Sequence, residues 1–242
     1  MQHRQGLGIQ VIVNGRPLPE VTKDGKTFIA APWNTNYSLR FLVPYIHGYK
    51  YPAKRFLAVT SVDGLNIRTG RRATRNDGGW VITPPSGDVP GFYLNAHEVA
   101  AFRFGGCGSS YASQMDRPEN VGAISVIFFS EVDPEPYDCL EGMVSKGGPC
   151  SFGPTTRSAG GGRGLETLGG GHDMGTEFGE RQQFHTNTTE FERDVQVAQL
   201  TIEYASEESL INAGILPRRG SPLGHVDPFA DGGCQPPPGY RG

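Results

Sequence analysis

Short runs of alternating residues in the first third of this chain are repeatedly broken by Asn or Asp followed by Gly. The pairs are Asn14-Gly15, Asp24-Gly25, Asp63-Gly64 and Asp77-Gly78. Such pairs reach positive φ at both central positions of a two-residue hairpin, the turn whose twist matches the strands it joins. A chain punctuated this often is committed to short strands folding back on one another. Its 35 glycines and 19 prolines push the same way, and they hold the hydrophobic share to 36%, below the roughly 45–50% of an average globular chain. Long helices are therefore not expected.

The runs between the turns carry a strand pattern. The series opens with GIQVIV, Gly8 to Val13, followed by Glu20–Val21 and by Thr27 to Ala30. From Tyr37 to Val43, Tyr37, Leu39, Phe41 and Val43 share one face and Ser38, Arg40 and Leu42 the other, so one side should face a core. Arg55 to Val62, Leu65 to Arg68 and Trp80 to Thr83 continue the series, the last ended by Pro84-Pro85. Glu98 to Phe104 and Gly122 to Ser130 are the most apolar, which predicts positions in the middle of sheets. A return strand is predicted over Val195 to Tyr204. After it Ser206, with Glu207 and Glu208, has the pattern of a helix start that Gly214 and Pro217 then stop.

The predicted fold is mostly β: an antiparallel β-sandwich, jelly-roll or immunoglobulin-like, with one short helix. Residues 132–183 interrupt it. They carry the glycine clusters 147–148, 160–162 and 169–171 and few large aliphatics, too little apolar surface to offset the entropy of ordering. The domain reading is one sandwich formed by 1–131 plus 184–216, a Gly/Pro-rich loop insertion at 132–183, and an extended tail at 217–242. That tail contains Pro236, Pro237 and Pro238, which favour a polyproline-like conformation.

A net charge of −3 supplies no basic field, so no nucleic-acid partner is expected. No stretch reaches the roughly 20 apolar residues of a membrane span. The opening MQHRQGLGIQ lacks the apolar centre of a secretion signal. The expectation is cytoplasmic synthesis, with incorporation into a virion or other assembly open. Cys107, Cys139, Cys150 and Cys234 show no C-x-x-C spacing, which argues against structural zinc. Cys139 and Cys150 close a short loop and are the disulfide candidates, free thiols being the alternative.

The sequence offers few places for chemistry. His172-Asp173, between flexible glycines, has the residue types of a metal ligand or general base, but no second histidine sits at ligand spacing; His185 is the nearest. The run Gly105-Gly106-Cys107-Gly108-Ser109-Ser110 has neither the Lys-Ser/Thr ending of a phosphate loop nor a nucleophile elbow, and reads as a connection between strands. Asp133, Glu135, Asp138 and Glu141 are spaced unlike a calcium loop. Arg68, Arg71, Arg72 and Arg75, without interleaved aromatics, read as hydrated or paired with carboxylates of a neighbouring subunit. The sequons at Asn36 and Asn187 are read as chance matches. No catalytic residue, cofactor or metal site is predicted.

The contact candidates are Trp33, Tyr45, Tyr49 and Tyr51, aromatic residues that offer large area at low entropy cost, together with the three prolines of the tail. Several phrases carry a likeness: VNGRPLPE at 13–20, SVDGLNIRTG at 61–70, HEVAAFRFG at 97–105, NVGAISVIFF at 120–129, and FERDV with LTIEYAS from 191. Through them the chain resembles an uncharacterised family of β-rich proteins from bacteria and viruses, which implies a shared β-sandwich and no functional residue. The expected function is that of a non-enzymatic subunit of a large assembly, such as a capsid, a minor capsid protein or a surface appendage, whose loop and tail contact other protein subunits. The alternative is a ligand- or carbohydrate-binding module using the aromatic stretch 33–51.

Overall fold

Three of the four turn dipeptides do what their chemistry predicts. In the computed structural model, which describes residues 1–2, 6–44, 55–84, 87–132 and 173–218, φ is positive at both residues of Asn14-Gly15, Asp24-Gly25 and Asp63-Gly64. Each turn closes a two-residue hairpin. These join β1 (Gly8–Val13) to β2 (Arg16–Pro17), β3 (Glu20–Lys23) to β4 (Lys26–Ala30), and, after β5 (Asn36–Leu42), β6 (Phe56–Val62) to β7 (Leu65–Asn66). Asp77-Gly78 behaves otherwise. The Asp77 carboxylate accepts from the Thr74 amide at 2.8 Å and closes a loop. That loop delivers β8 (Trp80–Ile82) onto the edge of β6. A glycine is needed at position 79, because a Cβ there would fall on the Ala58 carbonyl of β6.

The remaining elements are β9 (Asp88–Val89), β10 (Gly91–Asn95), β11 (Glu98–Gly106), α1 (Tyr111–Gln114), β12 (Ala123–Glu131), β13 (Met174–Gln183), β14 (Arg193–Ala205) and α2 (Glu207–Asn212). They form two sheets. One runs β10-β11-β5-β1-β2, with β13 also on β11 and β9 on β5. The other runs β3-β4-β14-β12-β6-β7, with β8 on β6. The two most apolar strands take the interior positions predicted for them: β11 has partners on both edges, and β12 lies between β14 and β6.

The main core draws on both sheets. Ile9, Leu39, Phe41, Phe102 and Phe104 come from the first, and Ala58, Val126, Phe128, Ile202 and Tyr204 from the second. The rings of Phe41 and Phe128 meet edge to face at 6.2 Å, and those of Phe104 and Tyr204 lie 5.2 Å apart, so aromatic contacts bridge the sheets. The alternation predicted from Tyr37 onward is observed, with Tyr37, Leu39 and Phe41 all buried. A smaller cluster of Phe28, Ala205, Leu210 and Ile215 seats α2. Ser206 caps that helix through its hydroxyl, which accepts from the Ser209 amide at 3.1 Å, and Gly214 has the expected positive φ.

Three expectations are corrected. The sheets are not purely antiparallel, because β4 and β14 pair in parallel. Most of the chain separates those two strands, so no turn dictates their direction. A second short helix, α1, follows a 3-10 turn at Cys107–Ser109, where a plain connection was expected. The last ten residues assigned to the loop insertion are strand β13, hydrogen-bonded along β11. Its sequence, MGTEFGERQQ, lacks β-branched apolar alternation. Pairing with a central strand supplies what local propensity does not. Among the described residues no helix is long and apolar enough to cross a membrane.

Candidate functional site

The most organised polar centre lies between the sheets. Asp63, the first residue of the β6–β7 turn, is only 2% exposed. Its left-handed backbone (φ 52°), which aspartate tolerates, turns the carboxylate inward. One oxygen accepts from the Gly122 amide at 2.9 Å and the Tyr204 hydroxyl at 2.6 Å; the other accepts from the Thr176 amide at 2.7 Å. The Thr176 hydroxyl continues the chain to Tyr204 at 2.7 Å and to Tyr37 at 2.8 Å. Tyr37 in turn stacks on Phe104, with ring centroids 4.1 Å apart. The second sheet contributes β14 and the turn beside β6, and the first contributes β5 and β13.

Burial pushes the Asp63 carboxyl up to about 6, against the opposing pull of the Tyr204 hydroxyl and the Thr176 and Gly122 amides. Tyr204 and Tyr37 are raised well above the ordinary phenol range, first by burial and then by the Asp63 charge. The hydroxyls of Tyr204, Thr176 and Tyr37 can each donate or accept, so the chain can reverse direction when Asp63 takes a proton. Asp63, Thr176, Tyr204 and Tyr37 are all buried. Their hydrogen bonds hold one sheet to the other.

Asp173 is also accounted for by structure. Its carboxylate accepts from the Ser209 hydroxyl at 2.7 Å and the Ser206 amide at 3.3 Å, at the start of α2. Partial burial raises its pKa, but the Ser206 and Ser209 hydrogen bonds outweigh it and hold the group below the usual carboxylate range. His172 lies outside the described residues, and the His185 ring meets His97 at 5.3 Å instead. Among the described residues no three His, Cys, Asp or Glu side chains gather to hold a metal.

Cys107 is a free, half-buried thiol packed with the Leu65, Ala112 and Val121 cluster. The Arg run is dispersed: Arg72 pairs with Glu119 at 3.1 Å, both side chains being well exposed, and Arg75 donates to Gln196 and Gln199. Trp33 is 66% exposed and lies over Gly106. The other sequence candidates, Tyr45, Tyr49, Tyr51, Pro236, Pro237, Pro238, Cys139, Cys150 and the Asp133–Glu141 cluster, lie outside the described residues.

A cleft of about 230 Å³ that sequence reading did not anticipate opens where β8 and β10 meet residues 184–189. Its wall is aromatic. Trp80 meets Phe184 at 5.8 Å and Tyr93 at 6.3 Å, both edge to face. Its rim carries Arg68, His185 and the run from Thr186 to Thr189. The Trp80 indole N–H is shielded from solvent and has no hydrogen-bond partner among the described residues. Nothing in the spacing of positions 68, 80, 93 and 184 could have joined them. Phe184 reaches the site because β13 runs on past His97, whose carbonyl accepts from the Phe184 amide at 2.8 Å. Compared with protein-family models, curated proteins and solved structures, the chain matches none.

Proposed function

We propose that this chain is a non-enzymatic structural subunit of a large multi-subunit assembly, a virion component or a surface appendage, built on a β-sandwich of jelly-roll or immunoglobulin-like kind and related to the β-rich family it resembles. The observation that carries this reading is the outer edge of β13. One edge of this ten-residue strand pairs with β11, while beyond Glu177 the other has no partner strand among the described residues. An unpaired row of N–H and C=O groups is a template for a strand from another chain. The reading is also supported by the Asp63 centre, whose polar atoms are spent on holding the sheets together.

The test is native mass by light scattering, with a gentle extract of the source run beside the purified 26.1 kDa chain. A megadalton or filamentous species in the extract is the expected result, and a monomer in both samples would refute the reading. A proline at position 181 locates the contact. The Phe102 amide donates to the Pro90 carbonyl, away from β13, so by alternation the amide of Ala100 and that of its partner Arg181 point away from each other. Arg181→Pro should therefore leave the monomer folded and block incorporation; unimpaired incorporation would remove β13 from the interface.

A further inference from the structure

Trp80 also packs against the main core, but the chemistry of the cleft beside it points to a ligand. Its wall is the aromatic group Trp80, Tyr93 and Phe184, and its rim is a row of short side chains, Thr186, Asn187, Thr188 and Thr189, that both donate and accept. A polyhydroxyl ring presents the same combination, apolar C–H faces bordered by groups that donate and accept at once. The charge on the rim narrows the choice. No carboxylate lines the cleft among the described residues, whereas Arg68 does.

The Arg68 guanidinium packs against Gly78, where a Cβ would displace it, and it makes no ion pair or hydrogen bond among the described residues. A planar, always-charged fork held beside an aromatic wall suits a carboxylate carried on a ring. We infer that this cleft is a binding site for an anionic sugar residue of a glycan, a uronic acid, its ring against Trp80 and its carboxylate on Arg68. The site is separate from the β13 edge and does not rest on the assembly reading. It also differs from the aromatic platform at 33–51 that the sequence suggests, since Trp33 has no part in it.

The experiment uses the full chain carrying Trp33→Phe, which leaves Trp80 as its remaining tryptophan. Indole fluorescence is followed during titration with methyl glucuronide, methyl glucoside and adenosine monophosphate. The expected result is a saturable change with the glucuronide in the millimolar range, and binding of the glucoside weaker by about tenfold, the usual scale for losing a charge-assisted hydrogen bond. Arg68→Gln, a change at an exposed side chain, should bring the glucuronide down to the level of the glucoside and leave the glucoside unaffected. No response to the glucuronide, equal affinity for the two sugars, an unchanged affinity in Arg68→Gln, or tighter binding of the nucleotide would each overturn the assignment.

Discussion

Replacing Asp63 with asparagine separates the two things this carboxylate does, accepting hydrogen bonds and carrying a buried charge. Asparagine tolerates the left-handed backbone of the turn, so the hairpin survives. Its amide nitrogen cannot accept, however, and in either orientation it faces one of the two amides, Gly122 or Thr176, that donate to Asp63. One buried N–H left without a partner costs about 1–3 kcal/mol. Against this stands the cost of the charge. The folded pKa is about 6, above the ordinary 3.8, so between those values the native state holds a proton that the unfolded chain has lost. The native state is thereby favoured at low pH, and this stability is lost as pH rises through 6.

At about 1.4 kcal/mol for each unit of pKa, the loss between pH 4 and pH 7 is about 2.5 kcal/mol. The asparagine variant has no such loss. It should be less stable than the parent by about 1–3 kcal/mol at pH 4, and at pH 7 between about 0.5 kcal/mol less stable and about 1.5 kcal/mol more stable. Urea unfolding followed by tryptophan fluorescence, parent beside variant at both pH values, measures the difference, and effects of other titrating groups cancel in the comparison. A penalty that is the same at the two pH values, or larger at pH 7, would refute the account of Asp63 as a carboxylate raised by burial.

Two further perturbations follow from the geometry. Gly91→Ala sets a Cβ onto the Ala100 carbonyl oxygen of β11; β10 should be forced away from β11, seen as faster amide exchange in residues 91–95 and a stability loss above about 1 kcal/mol, and unchanged exchange would contradict the close approach. Ser206→Ala removes the cap of α2 and should cost about 1 kcal/mol, read as a lower thermal midpoint, with no change expected if the Asp173 carboxylate alone suffices to hold the helix start.

What was legible in the sequence was local. The hairpins at Asn14-Gly15, Asp24-Gly25 and Asp63-Gly64 follow from backbone sterics within two residues, the buried face of β5 from a period of two, and α2 from its cap and its stop. The interior positions of β11 and β12 follow from their apolar runs. The candidate site was largely hidden. Asp63 has the pattern of an ordinary turn residue, and nothing nearby announces that Tyr204, Thr176 and Tyr37 meet it. The aromatic cleft is assembled from positions as far apart as 68 and 184.

By itself, then, the sequence determined a mostly β chain of short strands, where several hairpins turn, and which faces are apolar, because each depends on steric or hydrophobic preferences of neighbouring residues. Only the tertiary structure decided that β4 and β14 run parallel, that the polar MGTEFGERQQ is a strand, that Asp63 is a buried sheet-to-sheet clamp, and that Trp80, Tyr93 and Phe184 share a cleft with Arg68. Those outcomes depend on which surfaces meet after the chain has returned on itself. That information lies in pairings between distant residues, which local preferences do not encode.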